Sequence, residues 1–539
     1  MKIKRIGVAA IALAAAGALT LAGCSSSAPE STGAAGGGII TTNGSEPQNP
    51  LVPTNTNETG GGKILDAIFA GLVYYDAEGA PHNDVAESIE TEDAQNYTIK
   101  LREGLTFTNG EPVNANSFVD AWNYGADTAN GPQLSQYFFE SIKGFSYDES
   151  VPELPGLVVV DDTTFTVELN QPESDFPLRL GYSAFYPLPA SAFDDIEAFG
   201  NNPVGNGPYM LDGDGAWKHN ERIDLTVNPD YDGPRAPKND GLSIIFYASQ
   251  DAAYADLQAD NLDVLDAIPD SALATYEDEF GDRAVNQPAA IFQSFTIPGR
   301  LPHFDGEEGK LRRQALSLAI DRDEVTEVIF NGTRTPASDF TSPVIDGFSD
   351  SIPGSEVLDF DATKAKELWA QADAISPWDG TFQIAYNADG GHAGWVDAVT
   401  NQLKNNLGID ASGAPYPTFA EARTLITNRT IQTAFRSGWQ ADYPALFNFL
   451  GPLYGTGAGS NDGDYSNPEV DALLTQGLAE TDLAAANEKF QAAQEILFQD
   501  LPAIPLWYSN VNGAWSTQVE NVQFGWNSVP LYYEITKGE

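Results

Sequence analysis

Short stretches in which apolar and polar residues alternate recur along this chain, and they predict β-strands with one buried face. The alternation is clear at residues 97–101, 165–169, 223–227 and 382–386. Each stretch is about as long as an ordinary strand. A large part of the chain is therefore predicted to form sheets.

Other stretches carry apolar residues three or four positions apart, which predicts amphipathic helices. These helices are predicted at residues 64–72, 309–330 and 482–499, with one more beginning at Asn467-Pro468. Proline suits the first turn of a helix, and Asn331-Gly332 supplies a stop for the second predicted helix. Because the two patterns interleave from residue 39 on with few regular β–α–β units, the predicted fold class is mixed α/β.

The N-terminal pattern is different: a basic start and an apolar run lead to the only cysteine of the chain, Cys24. The run ends in Leu21-Ala22-Gly23, which is typical of a secretory signal peptide with a small-residue cleavage site. Residues 1–23 are therefore predicted to be a lipoprotein signal peptide, with lipid on Cys24 anchoring the protein outside the cell membrane. The alternative is an ordinary signal peptide with an incidental cysteine. Residues 24–38, rich in Ser, Ala and Gly, are predicted to form a flexible linker.

The charge of the chain narrows the range of partners. The sequence has 77 acidic and 27 basic side chains, for a formal net charge of −50. Such a surface repels a phosphate backbone, so no nucleic-acid partner is expected, and it favours solubility. No second run of 18 apolar residues follows the leader, so no transmembrane helix is expected either.

Motifs for catalysis and for metal binding were sought without success. The four histidines lie far apart and form no H-x-x-x-H pair, and residues 181–185 lack the closing glycine of a nucleophile elbow. No phosphate-binding loop is present. The sequence therefore predicts a binding protein rather than an enzyme, with no cofactor and no metal.

Ten segments, in order, carry a family resemblance that covers most of the chain. They are residues 44–50, 68–79, 85–90, 97–122, 204–211, 228–240, 311–325, 438–450, 465–474 and 500–508. Together they resemble the extracellular solute-binding proteins of peptide-type ABC importers, the oligopeptide/dipeptide-binding family.

This resemblance implies a periplasmic-binding-protein-like fold with two lobes about a hinge and an extra third domain. The first lobe would comprise residues 39–71, 205–290 and 513–539. The inserted domain would comprise residues 72–204, and the second lobe residues 291–512.

The resemblance also implies a ligand site around the W-x-A-D-Y motif at residues 439–443. Asp442 would pair with the α-amino group of a peptide, or it would instead help to start a helix near Pro444. Trp439 would form an aromatic wall, or be plain core. Arg436 would bind the ligand's carboxylate bidentately, or form a structural ion pair.

The peptide backbone would add as a strand beside this motif, which brings further residues into the implied site. Gly438 and Gln440 would lie on the binding edge. Asn57 and Thr59 would lie on a facing segment. Trp507 and Asn461 are further candidates for lining the cleft.

The expected function is that of a monomeric, lipid-anchored receptor that captures oligopeptides and delivers them to an ABC permease driven by its ATPase subunits. One alternative is the same scaffold carrying an oligosaccharide or a metal chelate. Alternatives from other classes are an exported hydrolase and an adhesive surface protein.

Overall fold

The part of the chain that the structure describes begins at Gly37. The computed structural model covers residues 37–538, except Gln48, Asn57, Pro132, Asp270, Asp389, Gly390 and Thr418. The predicted signal peptide, Cys24 and most of the predicted linker lie outside the described residues, as does Asn57.

The strands range from two to 13 residues in length. In chain order they are β1 Ile39–Gly44, β2 Val73–Tyr75, β3 Pro81–Asn83, β4 Ala86–Thr91, β5 Asn96–Leu101, β6 Leu157–Asp161, β7 Thr164–Glu168, β8 Tyr209–Leu211, β9 Trp217–Lys218, β10 Arg222–Val227, β11 Gly241–Phe246, β12 Val264–Leu265, β13 Ala284–Thr296, β14 Arg334–Pro336, β15 Thr381–Asn387, β16 Asp410–Tyr416, β17 Ala434–Gln440, β18 Ala503–Trp515, β19 Val519–Glu520 and β20 Thr536–Lys537.

The helices are interspersed with these strands along the chain. In chain order they are α1 Thr59–Ile68, α2 Ala115–Ala126, α3 Phe176–Arg179, α4 Ile196–Asn201, α5 Gln250–Gln258, α6 Tyr276–Phe280, α7 Gly306–Leu318, α8 Arg322–Val328, α9 Ala362–Ile375, α10 Ala393–Leu407, α11 Phe419–Thr427, α12 Leu446–Tyr454, α13 Pro468–Leu478 and α14 Leu483–Asp500. Within the described part of the chain, none of the helices has both the length and the apolar character needed to cross a membrane.

The main sheet runs in the order β16-β15-β17-β13-β18-β12-β1-β11-β10-β8. At its centre, β13 and β18 are antiparallel strands of 13 residues each. β13 also pairs with β17 through residues 291–296, whereas β18 also pairs with β12 through Ala514 and Trp515. The two long strands therefore connect the two halves of the sheet.

The pairing of these central strands is interrupted midway. Their register shifts between Pro288 and Phe292, and proline there cannot donate a ladder hydrogen bond. Instead, Ala290 N donates to Trp526 O at 2.9 Å, and Ala290 O accepts from Ala441 N at 2.9 Å. The interruption coincides with the predicted boundary at residues 290/291, although the domain boundaries themselves stay a prediction.

A separate antiparallel sheet, in the order β4-β5-β7-β6, lies within residues 86–168. Its inner face buries Tyr97, Ile99 and Leu101 at alternate positions, as period-two patterning requires. Trp122 of α2 is fully buried nearby, and its indole N–H donates to Phe185 O at 3.0 Å. The only polar atom of the Trp122 side chain is thus hydrogen-bonded, whereas Phe165, packed against its ring, has none to satisfy.

Two large apolar cores divide the chain between them. The first is built mainly from residues 40–264, and the second mainly from residues 290–508. Each core also takes in residues from the other part of the chain: Tyr443 and Ala445 join the first core, and Trp526 joins the second. The two cores are therefore linked by side chains as well as by β13 and β18.

The structure corrects one helix prediction. The helix expected over residues 309–330 is two helices, α7 and α8, separated by Ala319 to Asp321. The Asp321 side chain accepts a hydrogen bond from Glu324 N and so begins a new helix, a capping signal within an apolar stripe that looked continuous. α1 also ends at Ile68, before Leu72. The strand predictions and the helices at α13 and α14 agree with the structure to within a few residues.

Candidate functional site

Strand β17 offers an open edge beside the centre of the main sheet. On one side it pairs with β13 along its whole second half, whereas on the other side β15 pairs only with Ala434 and Phe435. Among the described residues, no strand covers the second side of residues 436–440. Backbone N–H and C=O groups on that side are free to pair with an extended ligand.

Local packing fixes β17 against β13. The Ser437 hydroxyl is 2.9 Å from the hydroxyls of both Ser294 and Thr296. At Gly438 a β-carbon would lie 2.9 Å from Phe292 O, so the close approach of the two strands requires glycine. The open edge is thus presented by a rigid strand.

Asp442 follows directly after β17, and its carboxylate is held by neutral groups. Asn448 Nδ2 donates to Oδ2 at 3.2 Å, and the Tyr137 hydroxyl donates to Oδ1 at 3.4 Å. No cationic side chain among the described residues forms a salt bridge with it. Burial raises the pKa of Asp442 above its ordinary value, and these two hydrogen bonds offset the effect only in part. The site therefore lacks a positive partner.

The alternative role for Asp442 as a helix start is wrong. The adjacent helix α12 begins at Leu446, with Ala445 at the capping position and no side-chain cap. Asn448, inside that helix, instead accepts from the Asp442 backbone N at 3.0 Å and from Trp439 Nε1 at 2.9 Å. One amide side chain thus orients both members of the motif.

A first cavity of about 420 Å³ lies beside this carboxylate. Of the sequence-predicted residues, Thr59, Gln440 and Asp442 line it. Its remaining wall is strongly aromatic: Tyr74, Tyr75, Tyr182, Tyr186, Tyr209, Trp526, Tyr532 and Tyr533. None of these rings was predicted from the sequence, although the paired tyrosines at 74–75 and 532–533 were a visible signal.

The cations of this first cavity already have partners. Lys63 pairs with Asp266, and both side chains are less than a tenth exposed. Arg235 Nε donates a hydrogen bond to Asp84 Oδ2 at 3.2 Å, and Arg235 Nη2 donates one to Phe69 O at 2.8 Å. These cations are therefore not available to neutralise Asp442.

A second cavity of about 260 Å³ adjoins β17 further towards its start. Arg436, Gly438, Trp439 and Asn461 line it. Arg436 makes no salt bridge to any described residue, and its buried Nε has no hydrogen-bond partner. Burial lowers the pKa of the Arg436 guanidinium, as expected for a cation without a counter-ion. This is not the structural ion pair that was the alternative for Arg436.

The other predicted residues differ in their surroundings. Trp439 is half-buried at the cavity wall, with its indole N–H used by Asn448. Asn461 uses its amide to tie its own loop, donating to Gly455 O at 2.8 Å and to Tyr465 O at 2.7 Å. Trp507 lies in the second core, 1% exposed, in edge contact with Trp395 and Phe330. The structure therefore places Trp507 away from the cleft.

The sequence profile of "Bacterial extracellular solute-binding proteins, family 5 Middle" matches residues 80–461. The chain belongs to this family. The resemblance to the oligopeptide/dipeptide-binding family, recognised from the sequence motifs, is thus confirmed. With it is confirmed the class of function: an extracellular solute-binding protein of the type that serves peptide ABC importers.

Curated relatives extend the similarity over most of the family 5 chain. The oligopeptide-binding protein OppA of Bacillus subtilis (strain 168) is 26% identical over 484 residues, 85% of each chain. The probable deoxycholate-binding periplasmic protein YgiS of Escherichia coli (strain K12) is 28% identical over 483 residues, again 85% of each chain.

Solved structures confirm the predicted fold class. Haemophilus influenzae OppA, solved in complex with the peptide RPPGFSPFR, superposes with a TM-score of 0.71 at 22% identity. The match covers 94% of this chain and 99% of that one. The fold is therefore the mixed α/β fold of periplasmic binding proteins.

Proposed function

We propose that this family 5 protein captures short peptides by both of their charged ends and by their backbone. The observation that carries the proposal is a pair of incomplete charges, Asp442 and Arg436, at the two ends of the open edge of β17. A free peptide carries the two complementary charges, an ammonium and a carboxylate, joined by a chain of amides.

The ammonium end is assigned to Asp442. A half-buried carboxylate held by two neutral donors keeps acceptor capacity for a charged donor. An α-ammonium would supply the missing charge and form short hydrogen bonds. It would also reverse the burial penalty that raises the pKa of Asp442.

The backbone of the ligand is assigned to residues 436–440, with Gly438 and Gln440 exposed on the open edge. Main-chain hydrogen bonds ignore side-chain identity, which suits a receptor for varied peptides. With its ammonium at Asp442 and its carboxylate towards Arg436, the ligand would run antiparallel to β17. Thr59, across the first cavity, and Asn57 are proposed to face it.

The carboxylate end is assigned to Arg436. Its planar guanidinium suits a carboxylate, and the second cavity gives it room to receive one. Six positions separate Arg436 from Asp442, which is at most about 20 Å of extended chain. An extended peptide of up to about six residues is therefore long enough to engage both residues. Trp439 and Asn461 would border its later side chains.

The relatives support a peptide cargo without fixing it. OppA of H. influenzae was solved with a peptide, whereas YgiS is named for deoxycholate. The aromatic wall of the first cavity would suit a flat apolar ligand as well. A sterol-like solute is therefore the second candidate, ahead of an oligosaccharide or a metal chelate.

Mass spectrometry of the ligand that co-purifies with the protein tests the assignment directly, followed by calorimetry with the compound found. Peptides of up to about six residues with free ends are the expected result. A bile-acid-like or sugar ligand, together with no heat from tripeptides, would contradict it. Intact peptide after prolonged incubation is expected, because the protein is proposed to deliver its cargo without reaction; fragments would indicate a hydrolase.

We further propose that the protein acts as a monomer tethered by lipid on Cys24 near its permease and ATPase subunits. Two acyl chains or more would hold it at the membrane and raise its local concentration there. Cys24→Ala is expected to leave the peptide affinity of the purified protein unchanged, to release the protein from the membrane fraction, and to impair peptide uptake by cells. Retention of the variant in washed membranes would contradict the anchor.

A further inference from the structure

Tyr443 follows the proposed ammonium-binding residue, Asp442, and packs in the first core, whereas most of the residues around it in the sequence pack in the second. Ala441 and Leu446 belong to the second core, whereas Tyr443 and Ala445 belong to the first. The tyrosine is 5% exposed there. Between Ala441 and Leu446, the chain thus crosses from the second core into the first and returns.

In the first core, Tyr443 meets a buried ionic group made by Glu173, Asp175 and Arg179. Arg179 Nη2 donates to Asp175 Oδ1 at 2.8 Å, and Arg179 Nη1 lies 2.7 Å from Glu173 Oε2. The Tyr443 hydroxyl donates to Asp175 Oδ2 at 2.8 Å, and the Arg179 guanidinium lies 5.2 Å from the centre of its ring. Asp175 is fully buried, so both of its oxygens depend on these protein donors.

Packing alone does not explain why residue 443 carries a hydroxyl group. A phenylalanine would fill the same volume, whereas a buried hydroxyl costs free energy unless it is bonded. The group it meets carries two carboxylates and one guanidinium, so a neutral donor is needed at the second carboxylate oxygen of Asp175. Tyr443 supplies it with the geometry of a strong, charge-assisted hydrogen bond.

The same junction is fastened at a second point. Ser174, beside Asp175, donates its backbone N to Leu478 O at 2.8 Å and its hydroxyl to Gly477 O at 3.1 Å. Residues 173–179 therefore hold the region of residues 443–478 by side-chain and main-chain bonds. These contacts join the predicted inserted domain to the predicted second lobe.

Asp442 sits between two fixed neighbours as a result. On one side Ala441 N donates to Ala290 O, and on the other Tyr443 is bound to Asp175. We propose that Tyr443 is a positioning residue, which, through Asp175 and Arg179, holds the Asp442 carboxylate where it receives the ammonium of the ligand. This inference rests on the proposed function of Asp442 as the ammonium site.

A double-mutant cycle with Tyr443→Phe and Asp442→Asn tests it, measured by calorimetric titration of a tripeptide with free ends. If Tyr443 acts through Asp442, Tyr443→Phe weakens affinity five-fold or more in the wild-type background. In the Asp442→Asn background it has less than a two-fold effect, because the charge it positions is gone. Equal losses in both backgrounds, or no loss in either, would overturn the inference.

The ratio of affinities for the free and the N-acetylated tripeptide is the second measurement. Loosened packing lowers both affinities alike, whereas misplacement of Asp442 lowers only the first, so the ratio is expected to fall in Tyr443→Phe. Tyr254→Phe is the matched control: it is a buried tyrosine bonded to a carboxylate, Glu279, away from both cavities. Its ratio is expected to equal that of the wild type.

Asp175→Asn serves if Tyr443→Phe does not fold, because it removes the charge that the hydroxyl binds while keeping the shape. The same fall in the ratio is expected, and an unchanged ratio would overturn the inference. A wild-type protein that binds no tripeptide, or that binds free and acetylated forms alike, would instead overturn the proposed function. The two failures are thus distinguishable.

Discussion

Two arginines of this protein carry the same charge in opposite surroundings. Arg235 is 3% exposed, and its guanidinium is surrounded by protein acceptors: Asp84 Oδ2, the Asp66 backbone and the Phe69 backbone. Arg436 faces a cavity with its Nε unpaired and no ion pair to any described residue. Protein groups thus satisfy the Arg235 guanidinium, which we call a completed charge. Within the described part of the chain, they leave the Arg436 guanidinium without a counter-ion, which we call an incomplete charge.

The carboxylates repeat the contrast. Asp84 is fully buried and accepts from Arg235 and from the Tyr231 hydroxyl at 2.8 Å. Asp442 accepts only from neutral groups. Because a buried charge without a partner costs free energy, breaking a completed group destabilises the fold, whereas an incomplete group already lowers stability. Under the proposed function, the incomplete group provides affinity for the ligand instead. On the same proposal, the contrast therefore separates residues that hold the fold from residues that would bind the ligand.

The largest expected effect is at the completed site. Arg235→Leu would remove the cation that is hydrogen-bonded to the fully buried Asp84 and leave Asp84 with the longer contact to Arg102, at 3.9 Å. The free energy of unfolding should therefore fall by about 3–5 kcal/mol, as for other broken buried pairs. Denaturant titration followed by circular dichroism measures this change. Arg222→Ala, which removes a half-exposed partner of Asp224, is the control and should cost less than about 1 kcal/mol. Equal costs would remove the distinction between the two kinds of site.

Asp442→Ala should have the next largest effect, on affinity rather than stability. It leaves the ammonium of the ligand unpaired, so tripeptide affinity should fall at least about ten-fold, or about 1.4 kcal/mol. The free energy of unfolding should stay the same or rise, because the lone carboxylate is penalised by burial. Calorimetry and denaturant titration on the same variant report both quantities. If the variant loses stability and keeps its affinity for the tripeptide, Asp442 stabilises the fold and does not bind the ligand.

Arg436→Gln should have a smaller and conditional effect. Affinity for peptides with a free carboxylate should fall by about three- to ten-fold, within the range of about 0.5–1.5 kcal/mol for one typical hydrogen bond. Peptides with an amidated C-terminus should bind the variant and the wild type equally, which calorimetry with the two peptide forms measures. Equal losses for both forms would show that Arg436 does not contact the carboxylate.

The smallest expected effect is the dependence of affinity on pH. An ordinary aspartate has a pKa of about 3.9, and burial raises the pKa of Asp442 above that value. As the pH falls, the Asp442 carboxylate therefore takes up a proton earlier than an ordinary aspartate does, and its pairing with the ligand's ammonium is then lost. The effect on stability has the opposite sign: the ionised form opposes folding above the raised pKa, and this penalty disappears as the pH falls through it. Measuring the peptide affinity of the wild type and of Asp442→Asn over the same pH range isolates the contribution of the carboxylate. Coincident affinity profiles of the two proteins would contradict the prediction.

Residues close together in the sequence were predicted well. The family resemblance implied a site around the motif at 439–443 and Arg436, and the structure brings these residues together because they lie on β17 and the segment that follows it. The period-two strands were predicted because a strand that buries one face shows it in the local pattern. The break between α7 and α8 was missed, since a single capping aspartate, Asp321, outweighed an apolar stripe that continued through it.

Contacts between distant parts of the chain were beyond prediction. The aromatic wall of the first cavity combines Tyr74 and Tyr182 with the C-terminal segment around Trp526, and no local pattern links them. Trp507 shows the reverse: its position in a similar motif suggested the cleft, whereas packing against Trp395 places it in the interior. Only the folded topology decides which side of β18 such a ring occupies.

The open edge of β17 has a cost outside ligand binding. An unpaired, rigid strand edge is the template on which other copies of a protein can add and grow into aggregates. Here the exposed stretch is only five residues long, beside two cavities. A ligand that paired with residues 436–440, as proposed, would also block this edge. The ligand-free protein is thus the form in which this edge is most exposed to self-association. The strong negative charge of the chain makes copies repel one another and opposes that association.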